Sequence, residues 1–234
     1  MYDIIAKKRR HSRSAAYEML KEAIEYLSLP PGATLVEGEL VAHTGFGRSP
    51  IREALSILSE EALVDIFPQS GTYVARICPR LTRDAMYVRR LLDRNIWLAV
   101  CGAGAHLREK LDEQMYFMRT AARRNDVAGF IRQVNLLHSR MCGYAGHGLM
   151  WEVLSRPNAH LTRIMALWLR RPERIMEYYG KYEQLLQCAE NGDQAGLAHV
   201  LDKCFPPGSG ARLVAEIRRN HPGYFADYGV FANI

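Results

Sequence analysis

The sequence predicts a mainly α protein of two domains: a winged helix-turn-helix head and an all-α helical bundle. Three short helical patterns come first, followed by a strand, a turn and a second strand. From Asp84 onward apolar residues recur at helical spacing, and no strand pattern is found. We therefore place the head at 1–76, a linker at 77–83, the bundle at 84–222 and a tail at 223–234.

The composition is that of a soluble globular protein. Of 234 residues, 48% are hydrophobic and 24% are charged. No run of about 18 apolar residues could span a membrane, and the N-terminus lacks the apolar core of a secretory signal. We expect a cytoplasmic protein without membrane contact. The five cysteines form no C-x-x-C pair and are expected to be reduced thiols.

The first helix is expected from Ser14, with Ser12 or Ser14 as its cap, and ends before Pro30-Pro31-Gly32. Five cations precede it within seven residues, and the net charge of the chain is +6. This basic arm is either a solvated terminus or a contact to nucleic acid. The five cations are Lys7, Lys8, Arg9, Arg10 and Arg13.

The next two helices are joined by a tight turn that contains glycine. The second helix covers about 36–44 and buries Leu40 and Val41, and Gly45-Phe46-Gly47 forms the turn. The third begins at Ser49-Pro50, where serine can cap and proline suits the first turn. Such a layout, with arginine near the start of the last helix, predicts a helix-turn-helix.

Candidate DNA contacts lie on this third helix and on the hairpin behind it. Arg48 and Arg52 can bind guanine through two hydrogen bonds each, while Ser49 and backbone N–H groups can hold a phosphate. At the hairpin tip, Ser70 and Gly71 can approach the DNA backbone, because glycine has no side chain in the way. The alternative is that each arginine is a solvated charge, with Glu53 as the partner of Arg52.

Four segments of the head carry a recognisable pattern: Pro31–Leu40, Gly45–Leu55, Leu63-Val64 and Gly71–Val74. Together they closely resemble the winged-helix head of GntR-family bacterial transcription regulators, over about residues 12–77. The pattern departs from the family at Gly47, where a serine or threonine is usual, so one hydroxyl that could contact phosphate is missing. The resemblance implies a homodimer that binds a pseudo-palindromic duplex operator.

The second domain carries three further marks: Arg89-x-x-Leu92-Asp93, Leu137-His138 and Ala189-x-x-Gly192-Asp193. They resemble, more loosely, the FCD type of effector domain found in GntR regulators. That resemblance implies a ligand pocket inside the bundle and a dimer interface on it.

In much of the FCD family an acid and three histidines bind a divalent metal beneath a carboxylate effector. The corresponding positions here are Val134, His138, Tyr182 and Cys204, so His138 alone remains of the ligand set. Valine cannot bind a metal, and tyrosine must lose its proton to do so. We therefore expect no metal cofactor; a rearranged site that uses His138, Cys204 and His199 is conceivable, but the spacing does not support it.

The polar groups of the expected pocket still suit a small anionic metabolite. Arg89 can bind a carboxylate with its fork of donors, and Asn135, His138 and Tyr182 can orient it among apolar walls. The choice of Arg89 over Arg90 rests on the resemblance. No nucleophile constellation, P-loop or dinucleotide fingerprint is present, so an enzyme is not expected.

The sequence therefore predicts a ligand-responsive DNA-binding transcription regulator. Two alternatives stay open. One is a weakly specific DNA-binding protein without an effector, consistent with Gly47. The other is a metal-dependent metabolite-binding protein with a vestigial head.

Overall fold

The computed structural model describes the backbone of residues 2–204 and 209–226, and the side chains of 14–154, 157–203 and 210–226. The chain forms two compact units. The first unit combines Met1–Pro79 with Asn220–Ile234. It contains the predicted head, and the whole unit is called the head from here on. The second unit, called the body, is Arg80–Arg219. The C-terminal segment thus belongs with the N-terminal unit.

The head has three helices and a two-stranded hairpin within the described residues. Its elements are α1 (Tyr2–Glu25), α2 (Glu37–Thr44), α3 (Arg48–Glu60), β1 (Val64–Phe67) and β2 (Gly71–Val74). Helices α1 and α3 pack together. Their fully buried side chains form the centre of the head core: Ala16, Leu20, Ile24, Ile51, Ala54, Leu55 and Leu58.

Helix α1 begins earlier than predicted. Its first residue is Tyr2 rather than Ser14, so the backbone of the basic segment is helical and is not an arm ahead of the helix. No glycine or proline lies between these positions to stop a helix. The side chains of the five cations, Arg13 included, lie outside the described residues.

A polar cluster ties α1 to the end of α3. The Tyr17 hydroxyl donates to Glu61 Oε1 at 2.7 Å, and Lys21 Nζ donates to Glu61 Oε2 at 3.0 Å. Lys21 and Glu61 are only 12% and 4% exposed, so each charge depends on its partner. The cluster therefore links α1 to the C-terminal end of α3.

The hairpin gains a further strand-like segment from the loop between α1 and α2. Thr34 pairs with Tyr73, and the backbone N–H of Leu35 donates to Thr72 O at 2.8 Å. This loop therefore lies along the outer edge of β2. Helix α2, in contrast, has no fully buried residue, and Leu40 and Val41 are half-buried rather than buried as expected.

The C-terminal segment adds a second strand-like contact to the head. After a 3₁₀ turn (Pro222–Tyr224), Phe225 forms a parallel bridge with Ile77. The Ile77 N–H donates to Tyr224 O at 2.8 Å, and the Ala226 N–H donates to Ile77 O at 3.1 Å. Tyr224, Phe225 and Ala226, expected from the sequence to lie in a tail, thus pair with Ile77.

Every secondary-structure element in the described residues of the body is a helix, as predicted. Its helices are α4 (Pro79–Ala99), α5 (Ala105–Arg123), α6 (Val127–Tyr144), α7 (Gly148–Trp168), α8 (Pro172–Glu190), α9 (Gln194–Cys204) and α10 (Ser209–Asn220). Helix α4 begins inside the expected linker 77–83, because proline is well placed in a first helical turn. Helix α5 packs on α6 and α8, α6 also packs on α7, and α8 packs on α9.

Helix breaks occur where the sequence places breakers. Asn125 and the glycines at 102, 104, 146 and 192 adopt positive φ between consecutive helices. Pro157 lies within α7, where it removes one backbone hydrogen bond. Of the helices in the described residues, none is long and apolar enough to cross a membrane.

Candidate functional site

The turn between α2 and α3 has the geometry of a helix-turn-helix. Gly45 ends α2 in the left-handed conformation with φ of 73°, and its N–H donates to Val41 O at 3.0 Å. Such a C-cap favours glycine, since other residues are strained there. Gly47 then precedes the first residue of α3, Arg48. The start of α3 is thereby fixed against the end of α2.

Helix α3 separates an apolar face from a polar one. Ile51, Ala54, Leu55 and Leu58 are buried, whereas Arg48, Ser49 and Arg52 are exposed on the first two turns. The three candidate DNA contacts predicted on this helix are therefore brought together on its outer side. The exposed N-terminal turns of a recognition helix are the part that enters a major groove, and here they carry two cations.

Arg52 forms an ion pair that the sequence did not indicate. Its Nε donates to both carboxylate oxygens of Glu37, at 3.0 and 2.7 Å, across the helix-turn-helix. The Arg52 side chain is 65% exposed. Glu53, suggested from the sequence as its partner, instead accepts a hydrogen bond from Ser49 Oγ at 3.0 Å. Adjacent residues on a helix point in different directions, which favours partners from elsewhere.

The tip of the hairpin is exposed at both predicted residues, Ser70 and Gly71. Gly71 has φ of 117°, a conformation that other residues rarely adopt. The Tyr73 hydroxyl donates to Ser70 O at 2.8 Å and closes the turn beneath the tip. Arg13, the remaining candidate DNA contact, has its side chain outside the described residues.

A buried polar cluster lies at the centre of the body. Arg89 Nε donates to both oxygens of Asp93, at 2.8 and 3.1 Å, one turn along α4. Asp93 Oδ1 lies 2.9 Å from His138 Nδ1, and His138 Nε2 lies 2.8 Å from the Tyr182 hydroxyl. All four residues are buried. Helices α4, α6 and α8 are thus linked through one chain of hydrogen bonds.

The charges in this cluster are set by burial and by neighbours. Desolvation raises the pKa of Asp93, but the nearby Arg89 and His138 outweigh this and hold that pKa below its ordinary value. Desolvation and the charge of Arg89 lower the pKa of His138. His138 is therefore neutral at pH 7 and donates from Nδ1 to the carboxylate of Asp93. Its Nε2 then accepts the hydrogen bond of the Tyr182 hydroxyl.

Arg89 also connects the cluster to α7. Its Nη1 donates to Asn158 Oδ1 at 2.6 Å, and Asn158 Nδ2 donates to Asn135 Oδ1 at 3.2 Å. The guanidinium lies over the ring of Trp151, 5.4 Å from the ring centroid. The four predicted effector residues, Arg89, Asn135, His138 and Tyr182, therefore belong to one network.

A cavity with an empty volume of about 410 Å³, including its open mouth, lies beside this network. Arg89, Asn135 and Tyr182 are among its lining residues, and most of its wall is apolar. The apolar lining residues include Phe130, Ile131, Val134, Leu161, Met165 and Leu169. His138 does not line it. That side chain faces a second cavity of about 240 Å³, which is bordered by Trp97, Lys181 and Leu201.

The residues present do not fit the divalent metal that the family resemblance implies. The Val134 side chain has no atom that can bind a metal, and His138 Nε2 is hydrogen-bonded to the Tyr182 hydroxyl. The side chain of Cys204 lies outside the described residues. Within the described residues, His, Cys, Asp and Glu side chains form no group of three that could hold a metal ion.

Three partners of Arg89 were not assigned to the site from the sequence. Asp93 could have been found, because it lies four residues after Arg89 on one helix face. Asn158 and Trp151 could not, since they reach Arg89 from a helix more than sixty residues away in the chain. No local pattern around either residue indicates that contact.

Two stretches of the chain match known families. Residues 12–74 match the family described as bacterial regulatory proteins, gntR family, and residues 84–205 match the FCD domain. A relative from Streptomyces ambofaciens, described as an uncharacterized HTH-type transcriptional regulator in unstable DNA locus, is 27% identical over 190 residues. That match covers 79% of this chain and 78% of the relative.

The HTH-type transcriptional repressor RspR of Escherichia coli strain K12 is 26% identical over 153 residues, which cover 63% of this chain and 65% of RspR. The solved structure of E. coli McbR/YncC has a TM-score of 0.72 at 19% identity, and covers 90% of this chain and 98% of that one. A putative GntR regulator from Rhodococcus sp. RHA1 also has a TM-score of 0.72, at 17% identity, with 87% and 97% covered. These two structures confirm the fold.

Proposed function

The chain belongs to the GntR family of bacterial regulatory proteins with an FCD domain, and we propose that it binds a pseudo-palindromic operator as a homodimer under control of a small anionic metabolite. The family and the relatives described above are transcription regulators, so this chain is a regulator and not an enzyme. It acts in the cytoplasm, where bacterial DNA lies.

The outer face of α3 is the observation that carries the DNA-binding part of this proposal. Arg48 and Arg52 are exposed, with the apolar side of the same helix packed in the head core. An arginine in a major groove can bind guanine O6 and N7 together, which discriminates bases, while contacts to phosphates do not. We propose that Arg48 and Arg52 contact bases, and that Arg13, Ser49, Ser70 and Gly71 contact the DNA backbone.

Selection of duplexes from a randomised library by the full-length protein tests this. We expect two related half-sites about one helical turn apart, and one dimer per duplex in light scattering. Arg52→Ala should cost about 1–3 kcal/mol on the selected duplex with little change on scrambled DNA. Equal affinity for selected and scrambled duplexes at matched salt would instead indicate a weakly specific DNA-binding protein.

The cavity in the body supports the effector part of the proposal. In the described residues, Arg89 uses Nε for Asp93 and Nη1 for Asn158, which leaves the Nη2 hydrogens for a ligand. These remaining donors suit one anionic group, and the apolar walls suit an apolar remainder that contacts Phe130 and Met165.

A thermal shift screen of small carboxylic acids against the full-length protein tests the effector. A ligand at 100 times its Kd should stabilise the protein by about 2.7 kcal/mol. Asn135→Leu should weaken the shift, while Arg90→Gln should not, because Arg90 lies outside the cavity lining and pairs with the exposed Asp202. No shift with any acid, together with an unchanged operator affinity, would contradict the proposal.

We also propose that this effector binds without a metal. The Tyr182 hydroxyl occupies His138 Nε2, the one ligand nitrogen that the family pattern retains here. Elemental analysis of the purified protein should find no stoichiometric divalent metal, and a chelator should leave both the melting temperature and the ligand shift unchanged. A loss of either with chelator would restore the metal-dependent alternative.

A further inference from the structure

The Arg52–Glu37 ion pair connects the first turn of α2 to the first turns of α3. Both Glu37 oxygens accept from the same nitrogen, Arg52 Nε. The pair is exposed, with 65% of the Arg52 side chain and 38% of the Glu37 side chain accessible. Exposed pairs of this kind contribute little to folding stability, so stability does not account for the contact.

The geometry suits a different purpose. A guanidinium held through Nε keeps its two Nη groups as a planar fork, and that fork matches guanine O6 and N7. A free arginine side chain samples many rotamers and loses that freedom on binding, whereas a held one has less to lose. We propose that Glu37 is a positioning residue that aims Arg52 at a base and thereby sets sequence preference.

The pair has a second consequence for binding. The carboxylate of Glu37 offsets the charge of Arg52, so Arg52 adds little to the non-specific attraction of the head for phosphate. Glu37 thus favours discrimination between sequences over affinity for any duplex. This inference rests on the proposed DNA binding, and the experiment is chosen to separate the two.

The test uses full-length protein and duplexes selected from a randomised library. The relevant base pair is the one whose preference disappears in Arg52→Ala. Dissociation constants are measured for the selected duplex and for one altered at that base pair, at several salt concentrations. The proteins are wild type, Glu37→Gln, Glu37→Asp, Arg52→Ala, the Glu37→Gln/Arg52→Ala double variant, and Glu53→Gln as a matched control.

We expect Glu37→Gln to lower the preference at that base pair by about tenfold. Its salt dependence should steepen by about one counterion, because Arg52 is then uncompensated. Glu37→Asp keeps the charge but is shorter, so it should lose preference without the steeper salt dependence. Glu53→Gln removes the same charge one residue from Arg52 and should retain the preference.

The double variant should match Arg52→Ala in base preference, since Glu37 acts through Arg52. Full preference in Glu37→Gln, or losses that add in the double variant, would overturn the inference and leave DNA binding intact. The inference would also fail if wild type discriminates between sequences but Arg52→Ala changes no base preference. The proposed function would still hold in that case. If wild type itself does not discriminate selected from scrambled DNA, the proposed function fails too.

Discussion

At the scale of single residues, the body depends on an ionised pair in its interior. Arg89 and Asp93 are 7% and 6% exposed, and each would be a lone buried charge without the other. Replacing such a pair by apolar residues can be neutral, but removing one partner is costly. The network therefore fixes the position of Arg89, and removing one of the two charges should cost much of the folding stability of the body.

Asp93→Asn tests this dependence. We expect the free energy of unfolding to fall by about 3–5 kcal/mol, measured by urea denaturation followed by tryptophan fluorescence. Asp202→Asn, which removes an exposed partner of Arg90 and Arg94, should cost less than about 1 kcal/mol. The pKa of Asp93 is lowered in the folded protein, so its contribution is present above its ordinary pKa of 3.8 and is lost as the pH falls through the folded value. Equal effects of the two variants would contradict this account.

The raised pKa of Glu25 predicts that the stability of the head depends on pH, with a sign opposite to that expected from Asp93. Desolvation, with repulsion from Glu18, Glu61 and Glu22, raises its pKa from 4.5 to about 7, against the attraction of Lys21. Glu25 is also the last residue of α1, where the helix dipole disfavours a negative charge. The folded state thus holds this proton more tightly than the unfolded state, and stability falls as the pH rises from about 4.5 to 7.

Glu25→Gln should therefore stabilise the head at pH 8 by about 1–2 kcal/mol, with allowance for its partial exposure, and change stability little at pH 4. Melting temperatures at the two pH values measure the difference. Glu18→Gln, on the exposed side of the same helix, removes only one of the repelling charges and should give a clearly smaller gain at pH 8. If Glu25→Gln raises the melting temperature as much at pH 4 as at pH 8, this explanation is wrong.

At the scale of elements, two glycines in or beside α2 predict opposite responses to the same change. Gly45 ends the helix at φ of 73°, so Gly45→Ala should destabilise the head by about 1 kcal/mol. Gly38 lies within the helix, and an added Cβ would contact nothing within 4 Å. Gly38→Ala should stabilise the head by about 0.5 kcal/mol through helix propensity. If both variants shift the melting temperature in the same direction, the left-handed C-cap at Gly45 does not have the role assigned to it.

The elements themselves could be predicted from the sequence because their signals are local. Period and breakers located the helices of the body, and Pro68–Gly71 located the hairpin tip. Helix α7 begins at Gly148, and its first half carries exposed apolar residues such as Leu149 and Val153, which obscure the helical pattern there. An outward-facing apolar residue removes the periodicity on which the prediction depends.

The candidate sites were predictable in part for the same reason. Helical spacing places Arg48, Ser49 and Arg52 on one exposed face. The partners of these side chains come from other elements, as Glu37 does for Arg52 and Asn158 does for Arg89. Such contacts depend on how helices pack, which no short pattern in the chain records.

At the scale of the whole molecule, the chain returns to its first unit at its end. Ile77, shortly before the chain enters the body, pairs with Phe225, shortly after it leaves. Ile77 is fully buried and Phe225 is 5% exposed. The head is therefore completed only when the last described segment is in place, although its family match covers only residues 12–74.

Two truncations separate this contribution from that of the remaining C-terminal residues. Ending the chain after Asn220 removes Phe225 and leaves the buried N–H of Ile77 without the Tyr224 carbonyl, so the head should lose about 3 kcal/mol or more. Ending it after Ala226 keeps both interactions and should therefore avoid this loss. Phe225→Ala, which keeps the backbone bridge, should fall between the two. If both truncated proteins have the melting temperature of wild type, residues 221–226 do not stabilise the head. A fragment of residues 1–79 would then be expected to fold as stably as the head of the full-length protein.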